Sequence, residues 1–416
     1  MRHTSSVTRR LLAGSLAILL APSAMAAKPT SATTTFAWVE SVPEGTTFGL
    51  TDTARTAPTW LSMVRGAKTH IDIAAFYLTN PPGGALAPIV DALKEQGKRG
   101  VKVNLLLDSS FMHESQAAVD ALRDAPGITI RQMPVKDMTG GVLHVKFMEV
   151  DGQDVFVGSQ NWDWRALQHI HEVGVRMRDA RMGATFEAEF QHLWHLAEQP
   201  ADARVAAPLV PPPGFTPVSE FAPLVVDGAE GPSTVFPAFS PRAMQPAWLT
   251  GEAPALTRLL EQAQHRIRVQ VMTLSAFKDF GPKGYWTAID TPLRDAAARG
   301  VTVQIIVADW ALRGHDLAYL QSLAAVPGIE VRYSTVPQAA SGPIPYARVE
   351  HAKYALVDDD LGFVGTGNWS WSYFESAVDA SLFIHGPLAR PLGRIFDADW
   401  NGPYVQPLNR FVPKGS

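Results

Sequence analysis

Residues 143–151 read Leu143-His144-Val145-Lys146-Phe147-Met148-Glu149-Val150-Asp151, and residues 350–358 read Glu350-His351-Ala352-Lys353-Tyr354-Ala355-Leu356-Val357-Asp358. Both carry His-x-Lys followed by Asp five residues after the Lys. A second stretch follows each: Phe156-Val157-Gly158-Ser159-Gln160-Asn161-Trp162-Asp163-Trp164 with Glu172 beyond it, and Phe363-Val364-Gly365-Thr366-Gly367-Asn368-Trp369-Ser370-Trp371 with Asp379 beyond it. His144 and His351, Asn161 and Asn368, and Glu172 and Asp379 are all 207 positions apart. A single short motif arises by chance; two at one offset, each with a matched Asn and acid, describe an internal duplication.

The duplication extends outward. A helical pattern from Ala57-Pro58 to Ala67 leads into the apolar run 70–76, and one from Ala253-Pro254 to Ala263 leads into 266–272. Helix 86–98, ended by Gly100, precedes the strand 101–107; helix 287–298, ended by Gly300, precedes 301–307. Pro126-Gly127-Ile128 matches Pro327-Gly328-Ile329. Glycine after a helix and β-branched apolar strands are the punctuation of βα units. The expected fold is α/β: two pseudo-symmetric halves, each a mixed β-sheet flanked by helices, packed to form one shared site. The halves are expected at 27–200 and 249–416. The stretch 201–248 is rich in Pro, Gly and Ala, lacks a sustained period, and reads as the connection.

The 416 residues are 46% hydrophobic and 18% charged, enough apolar material for sizeable cores. With no Cys, disulfides, thiolate metal sites and cysteine nucleophiles are excluded. Residues 1–26 read as an export signal: Arg2, Arg9 and Arg10, the apolar run 11–21, and the small-x-small site Ala24-Met25-Ala26. The run is about half of the ~20 residues that span a bilayer, so no permanent membrane span is expected. A periplasmic or secreted protein is. Cleavage removes three Arg and no acid, taking the formal charge from −4 to −7. That balance argues against a DNA-coating protein but not against a local cationic pocket.

Within the motifs, alternation along a strand puts His144 with Lys146, and His351 with Lys353, on one face. Two halves meeting about a pseudo-two-fold axis bring two imidazoles and two ammonium groups into one pocket. Asn161 and Asn368, with the hydroxyls of Ser159 and Thr366, complete an expected clamp for an anionic, oxygen-rich group. A phosphodiester fits: one imidazole attacks phosphorus, and the other protonates the leaving oxygen and then activates water. Glu172 and Asp379 are the candidate carboxylates for the other imidazole nitrogens. Asp151 and Asp358, at the far end of the motif, read as supporting residues. The scheme requires no metal or cofactor, since lysine and histidine cations supply the positive charge. His169 and His171 alternate as on a strand approach and are not expected to ligate metal.

The paired motifs, together with 38–45 (Trp-Val-Glu-Ser-Val-Pro-Glu-Gly), 141–144, 161–165 and 344–349 (Ile-Pro-Tyr-Ala-Arg-Val), resemble the phospholipase D superfamily over nearly all the chain beyond the leader. Among its branches they are most similar to the one holding the animal lysosomal members three and four and the poxvirus homologues. The resemblance implies a phosphodiesterase with a phosphohistidine intermediate. For that branch it implies a 5′-to-3′ exonuclease on single-stranded DNA or RNA, with lipid chemistry also attributed. The chain departs from the branch in lacking Cys, in carrying Asp379 as the second acid, and in having a cleavable-looking leader where the relatives have an anchor. The expected partner is therefore a phosphodiester substrate, a single-stranded nucleic-acid terminus first. The alternatives are phospholipid head-group hydrolysis or transfer and, remotely, an inactive binding protein. Trp162, Trp164, Trp369 and Trp371 read mainly as packing between the halves, and otherwise as a platform for bases or lipid. Phe76 and Tyr77, closing the first strand, carry the same two readings.

Overall fold

The apolar runs expected at the middle of each half form a repeated three-strand unit. His70–Ala75 pairs in parallel with Lys102–Asp108 and antiparallel with Lys146–Val150. Arg266–Val271 pairs in parallel with Thr302–Ala308 and antiparallel with Lys353–Val357. The registers coincide: Ala75 faces Lys146 and Val271 faces Lys353. A computed structural model describes Met1 and residues 34–412 apart from 82, 200–210, 212–213 and 279–281. Beyond Met1, the expected export leader lies outside the described residues.

Around these units the sheets grow to eight and nine strands, both mixed. The first runs Ala54–Arg55, Thr35–Ser41, Glu172–Arg178, Asp154–Gly158, Lys146–Val150, His70–Ala75, Lys102–Asp108, Ile128–Met133. The second runs Leu224–Gly228, Gly231–Ser240, Asp379–His385, Leu361–Gly365, Lys353–Val357, Arg266–Val271, Thr302–Ala308, Ile329–Ser334, Val405–Pro407. The central strands are buried on both faces, as expected of parallel pairs covered by helices. One face of the first sheet, with Ile71, Ile73 and Leu105, packs with residues of helices Thr56–Gly66 and Ala87–Lys98. The other, with Ala74, Leu106 and Phe147, belongs to the same apolar core as the second sheet. Thr33–Ser416 is accordingly one compact unit. Among the described residues no helix is long and apolar enough to cross a membrane.

Two expectations are corrected. The stretch 201–248 is not only a connection: Leu224–Gly228 and Gly231–Ser240 form a hairpin that completes the second sheet, with Gly231–Ser240 lying antiparallel on Asp379–His385. Pro232 and Pro237 mask it in sequence, since proline argues against a strand interior; burial of the whole run 235–240 overrides that preference. The motif strands, moreover, begin at Lys146 and Lys353 rather than at the histidines.

Asp151 and Asp358 sit at the opposite end of those strands, in turns with φ of 58° and 48°. The Asp151 carboxylate accepts backbone N–H groups of Lys68, Thr69 and His70 at 2.7–3.1 Å. Asp358 accepts those of Gln264, His265 and Arg266 at 2.6–2.8 Å. Each acid thus fixes the turn that launches the central strand of its sheet, and does no chemistry. Asp151→Ala and Asp358→Ala are expected to lower stability by about 2 kcal/mol each, through loss of charge-assisted hydrogen bonds. Denaturant melts check the loss, and kcat of the folded fraction should be unchanged.

Candidate active site

His144 and His351 lie just ahead of their strands, where the two halves exchange backbone hydrogen bonds. The His144 N–H donates to Val378 O at 2.9 Å, and the Val378 N–H to Val142 O at 2.9 Å. In the matching place, the His351 N–H donates to His171 O at 3.0 Å and the His171 N–H to Val349 O at 3.2 Å. The approach is close: a Cβ on Gly141 would fall 2.1 Å from Ser376 O, so only glycine admits the crossing.

This stitching sets the side chains across the boundary. His144 Nδ1 is 2.9 Å from Asp379 Oδ1, and His351 Nδ1 is 2.9 and 2.8 Å from the two oxygens of Glu172. Each imidazole is held by the carboxylate of the other half. An Nδ1–H donated to that carboxylate leaves the lone pair on Nε2, which in His144 faces the Lys146 ammonium. Lys146 Nζ stands 2.9 Å from both ring nitrogens of His144 and donates to its carbonyl oxygen. Lys353 Nζ donates to His351 O at 2.6 Å. Both lysines are fully buried, and both histidines nearly so.

Burial and the ammoniums of Lys146 and Lys353 push His144 well below its ordinary range, and burial, the same lysines and His144 do so for His351. Burial lowers Lys353 to about 7 against the pull of Glu172, Glu350 and Asp379, and lowers Lys146 strongly. It raises Asp379 to about 7 and Glu172 well above its usual range. The resting pocket therefore holds neutral imidazoles beside lysines whose charge burial disfavours, and a bound anion would favour that charge.

The Asn161 and Asn368 amide oxygens are buried without a partner, while the Asn368 side chain also hydrogen-bonds the Tyr373 hydroxyl. Ser159 and Thr366 do not serve the expected clamp. The Ser159 hydroxyl donates to Val173 O at 3.2 Å and accepts the Val173 N–H at 3.0 Å. The Thr366 hydroxyl donates to Asp379 Oδ1 at 2.5 Å and accepts the Ala380 N–H at 3.0 Å. The Ser159 hydroxyl also hydrogen-bonds the Glu172 carboxylate, so both hydroxyls anchor the acid-bearing strands. Trp162 and Trp369 are fully buried, stacked on Trp60 and edge-on to Phe363 respectively, so neither is a platform. Trp164 and Trp371 are half-buried.

One cluster escaped the sequence reading. His171 Nδ1 is 2.7 Å from Glu350 Oε2 and 3.6 Å from Asp399 Oδ2, and its Nε2 is 3.6 Å from Glu40 Oε1. Burial opposes a charge on this imidazole, but Glu350 and Asp399 prevail and hold its pKa far above normal. Placing the repeats in register would have exposed the cluster, since His171 and Glu350 correspond to the apolar Val378 and Leu143. Among the described residues, His171, Glu350 and Asp399, and separately His70, Asp72 and Glu149, place ligand atoms within 4.8 Å of one another and could hold a cation. In both, the imidazole already bonds a carboxylate.

The family profile described as "Cardiolipin synthase, PLD-like domain" matches residues 61–194 and again 256–400, once per half. The chain belongs to the phospholipase D superfamily. Its relatives include the 5′-3′ exonuclease PLD3 of Bos taurus, 32% identical over 400 residues that cover 89% of this chain and 80% of the relative. The 5′-3′ exonuclease PLD4 of Mus musculus is 31% identical over 411 residues, covering 90% and 80%. Among solved structures, the phosphatidylserine synthase of Haemophilus influenzae superposes with a TM-score of 0.60 over 84% of this chain and 85% of that one. At 15% identity it bears on the fold alone. Membership in the phospholipase D superfamily, with these relatives, makes the chain a phosphodiesterase.

Glu172→Gln and Asp379→Asn are expected to lower kcat by about 10²-fold or more with little change in KM, because each unseats the imidazole of the opposite half. Steady-state kinetics on a phosphodiester substrate measure both. The pH profile should be narrow. Asp379 takes up a proton as pH falls through about 7, and Lys353 loses its charge as pH rises through about 7. kcat/KM should therefore fall on both sides of that point.

Proposed function

We propose that this chain is an exported 5′-exonuclease of single-stranded nucleic acid that works through a covalent phosphohistidine. The observation that carries the chemistry is the pair of crossed His–carboxylate contacts flanked by two buried ammonium groups. One imidazole attacks phosphorus through Nε2 while the P–O bond to the leaving group breaks. The other imidazole, charged once the anion is bound, gives its proton to the departing oxygen. It then takes a proton from water, whose oxygen attacks phosphorus. The P–N bond breaks and the first imidazole returns. The ammonium groups and the two asparagine amides hold the non-bridging oxygens.

The nucleic-acid substrate is supported by relatives named as 5′-3′ exonucleases at 29–32% identity across about nine-tenths of the chain. The absence of a generally cationic surface, implied by the net charge, fits an enzyme that engages a few nucleotides at an end rather than a long backbone track. The chain recovered after export is expected to begin at Ala27. It should release mononucleotides from a 5′-hydroxyl oligonucleotide and leave phosphatidylcholine liposomes intact. His144→Ala and His351→Ala should each reduce that release by about 10²- to 10⁴-fold. Lipid turnover without shortening of the oligonucleotide, or near-normal activity of either variant, refutes the reading.

A further inference from the structure

The two halves present the shared pocket with very different surfaces. Phe76, directly after strand His70–Ala75, lies with its ring centroid 5.0 Å from the His144 ring. Lys146 Nζ is 5.4 Å from the centre of the Phe76 ring. Phe111 packs on Phe76 at 4.1 Å, and His113 stacks on Phe111 at 5.9 Å and 30°. Exposure rises along this row. His144 is buried, Phe76 and Phe111 are half-buried, and the His113 side chain is 69% exposed. The row leads from the reacting imidazole to solvent.

The row is fixed in place. Phe111 ends the short turn Ser109–Phe111, which is held by the buried carboxylate of Asp108. One oxygen of that carboxylate accepts the Ser110 N–H at 2.8 Å; the other accepts the N–H of Leu143, beside His144, at 2.5 Å. A single carboxylate thus ties the aromatic turn to the catalytic segment.

The matching positions of the second half carry no such row, although its Tyr373 ring packs edge-on against His144 at 4.8 Å. The Asp108 N–H donates to Phe76 O at 3.4 Å, and in the matching place the Ala308 N–H donates to Met272 O at 3.1 Å. Phe76, Asp108 and Phe111 therefore correspond to Met272, Ala308 and Ala311. Among the described residues His351 has no aromatic neighbour. A duplicated phosphate clamp needs no such difference. A reaction that must distinguish the two substituents of one phosphodiester does.

We infer that the face formed by Phe76 and Phe111 is a stacking subsite for an unpaired nucleobase next to the scissile phosphodiester, on the His144 side of the pocket. The inference rests on the nuclease reading and deepens it. A base one sugar away from the reacting phosphorus lies within reach of rings packed on the attacking or protonating imidazole. Flat rings beside a cation suit a nucleobase, and every base has a π-face, so the subsite would tolerate sequence.

The test is a cycle between ring and base. Wild-type protein and Phe111→Ala are assayed on a 5′-hydroxyl oligothymidylate, and on versions abasic at the first or the second nucleotide. Losing a stacked base costs roughly 5- to 150-fold in this class of contact, so kcat/KM of Phe111→Ala on the intact oligonucleotide should fall by that order. At one of the two abasic positions the losses should not multiply: the variant on the abasic strand should be no slower than the variant on the intact strand. Phe111→Leu, which keeps apolar bulk without a π-face, should behave as Phe111→Ala, and Phe111→Tyr should stay within a few-fold of wild type. Losses that multiply at both positions, or no loss in Phe111→Ala, overturn the subsite while leaving the nuclease reading standing. A wild-type protein that shortens no oligonucleotide but hydrolyses phospholipid vesicles removes both.

Discussion

Each catalytic imidazole is held by a carboxylate from the other half, and the rest of the architecture serves that exchange. A half on its own contains a histidine and an acid, but they belong to different pairs. The shared apolar core, the glycine that lets 141–144 pass against 376–378, and the reciprocal backbone bonds at His144 and His351 all keep the exchange in register. Function here is a property of the boundary between repeats. Folding of either sheet without the other would yield a buried lysine and an unoriented histidine, costly and inert.

The symmetry that builds the pocket is broken around it, in two directions. Behind Glu172 and His351 lies the His171 cluster, with charges where the other half has Leu143 and Val378. Beside His144 lies the aromatic row, with rings where the other half has Met272 and Ala311. The first difference changes the electrostatics of one imidazole–acid pair: Glu350 adds negative potential at both Glu172 and Lys353. The second changes what can lie against the other pair. A duplicated ancestor would have been indifferent to the orientation of a phosphodiester; these two changes remove that indifference at no cost to the clamp.

Much of the fold was legible because the duplication doubles every signal. Helices ending at Gly100 and Gly300 and strands entering at Val101 and Val301 reinforce each other, and the family's two motif copies locate the pocket. What was hidden has specific causes. An offset of 207 relates His144 to His351 and Glu172 to Asp379 equally well whether acids pair within halves or across them, so the crossing is invisible in one dimension. The hairpin at 224–240 is masked by its prolines, since local preference yields to burial there. Ser159 and Thr366 sit beside the asparagines in sequence, yet their hydroxyls bond the acid-bearing strands, at Val173 and Glu172 and at Asp379. Residue type named their chemistry but not their partner.

The aspartates that close the two motifs are remote from any reaction. Asp151 lies five positions beyond Lys146, which at about 3.3 Å per strand residue is roughly 16 Å. The spacing in His-x-Lys-x-x-x-x-Asp is therefore a measurement of length: from the pocket at one edge of the sheet to the turn at the other. It also sets parity. With the turn pinned by three N–H groups on its carboxylate, adding or removing one residue between Lys and Asp would rotate the lysine to the opposite face of the sheet. The motif survives as a fixed string because it is a ruler whose far end is anchored.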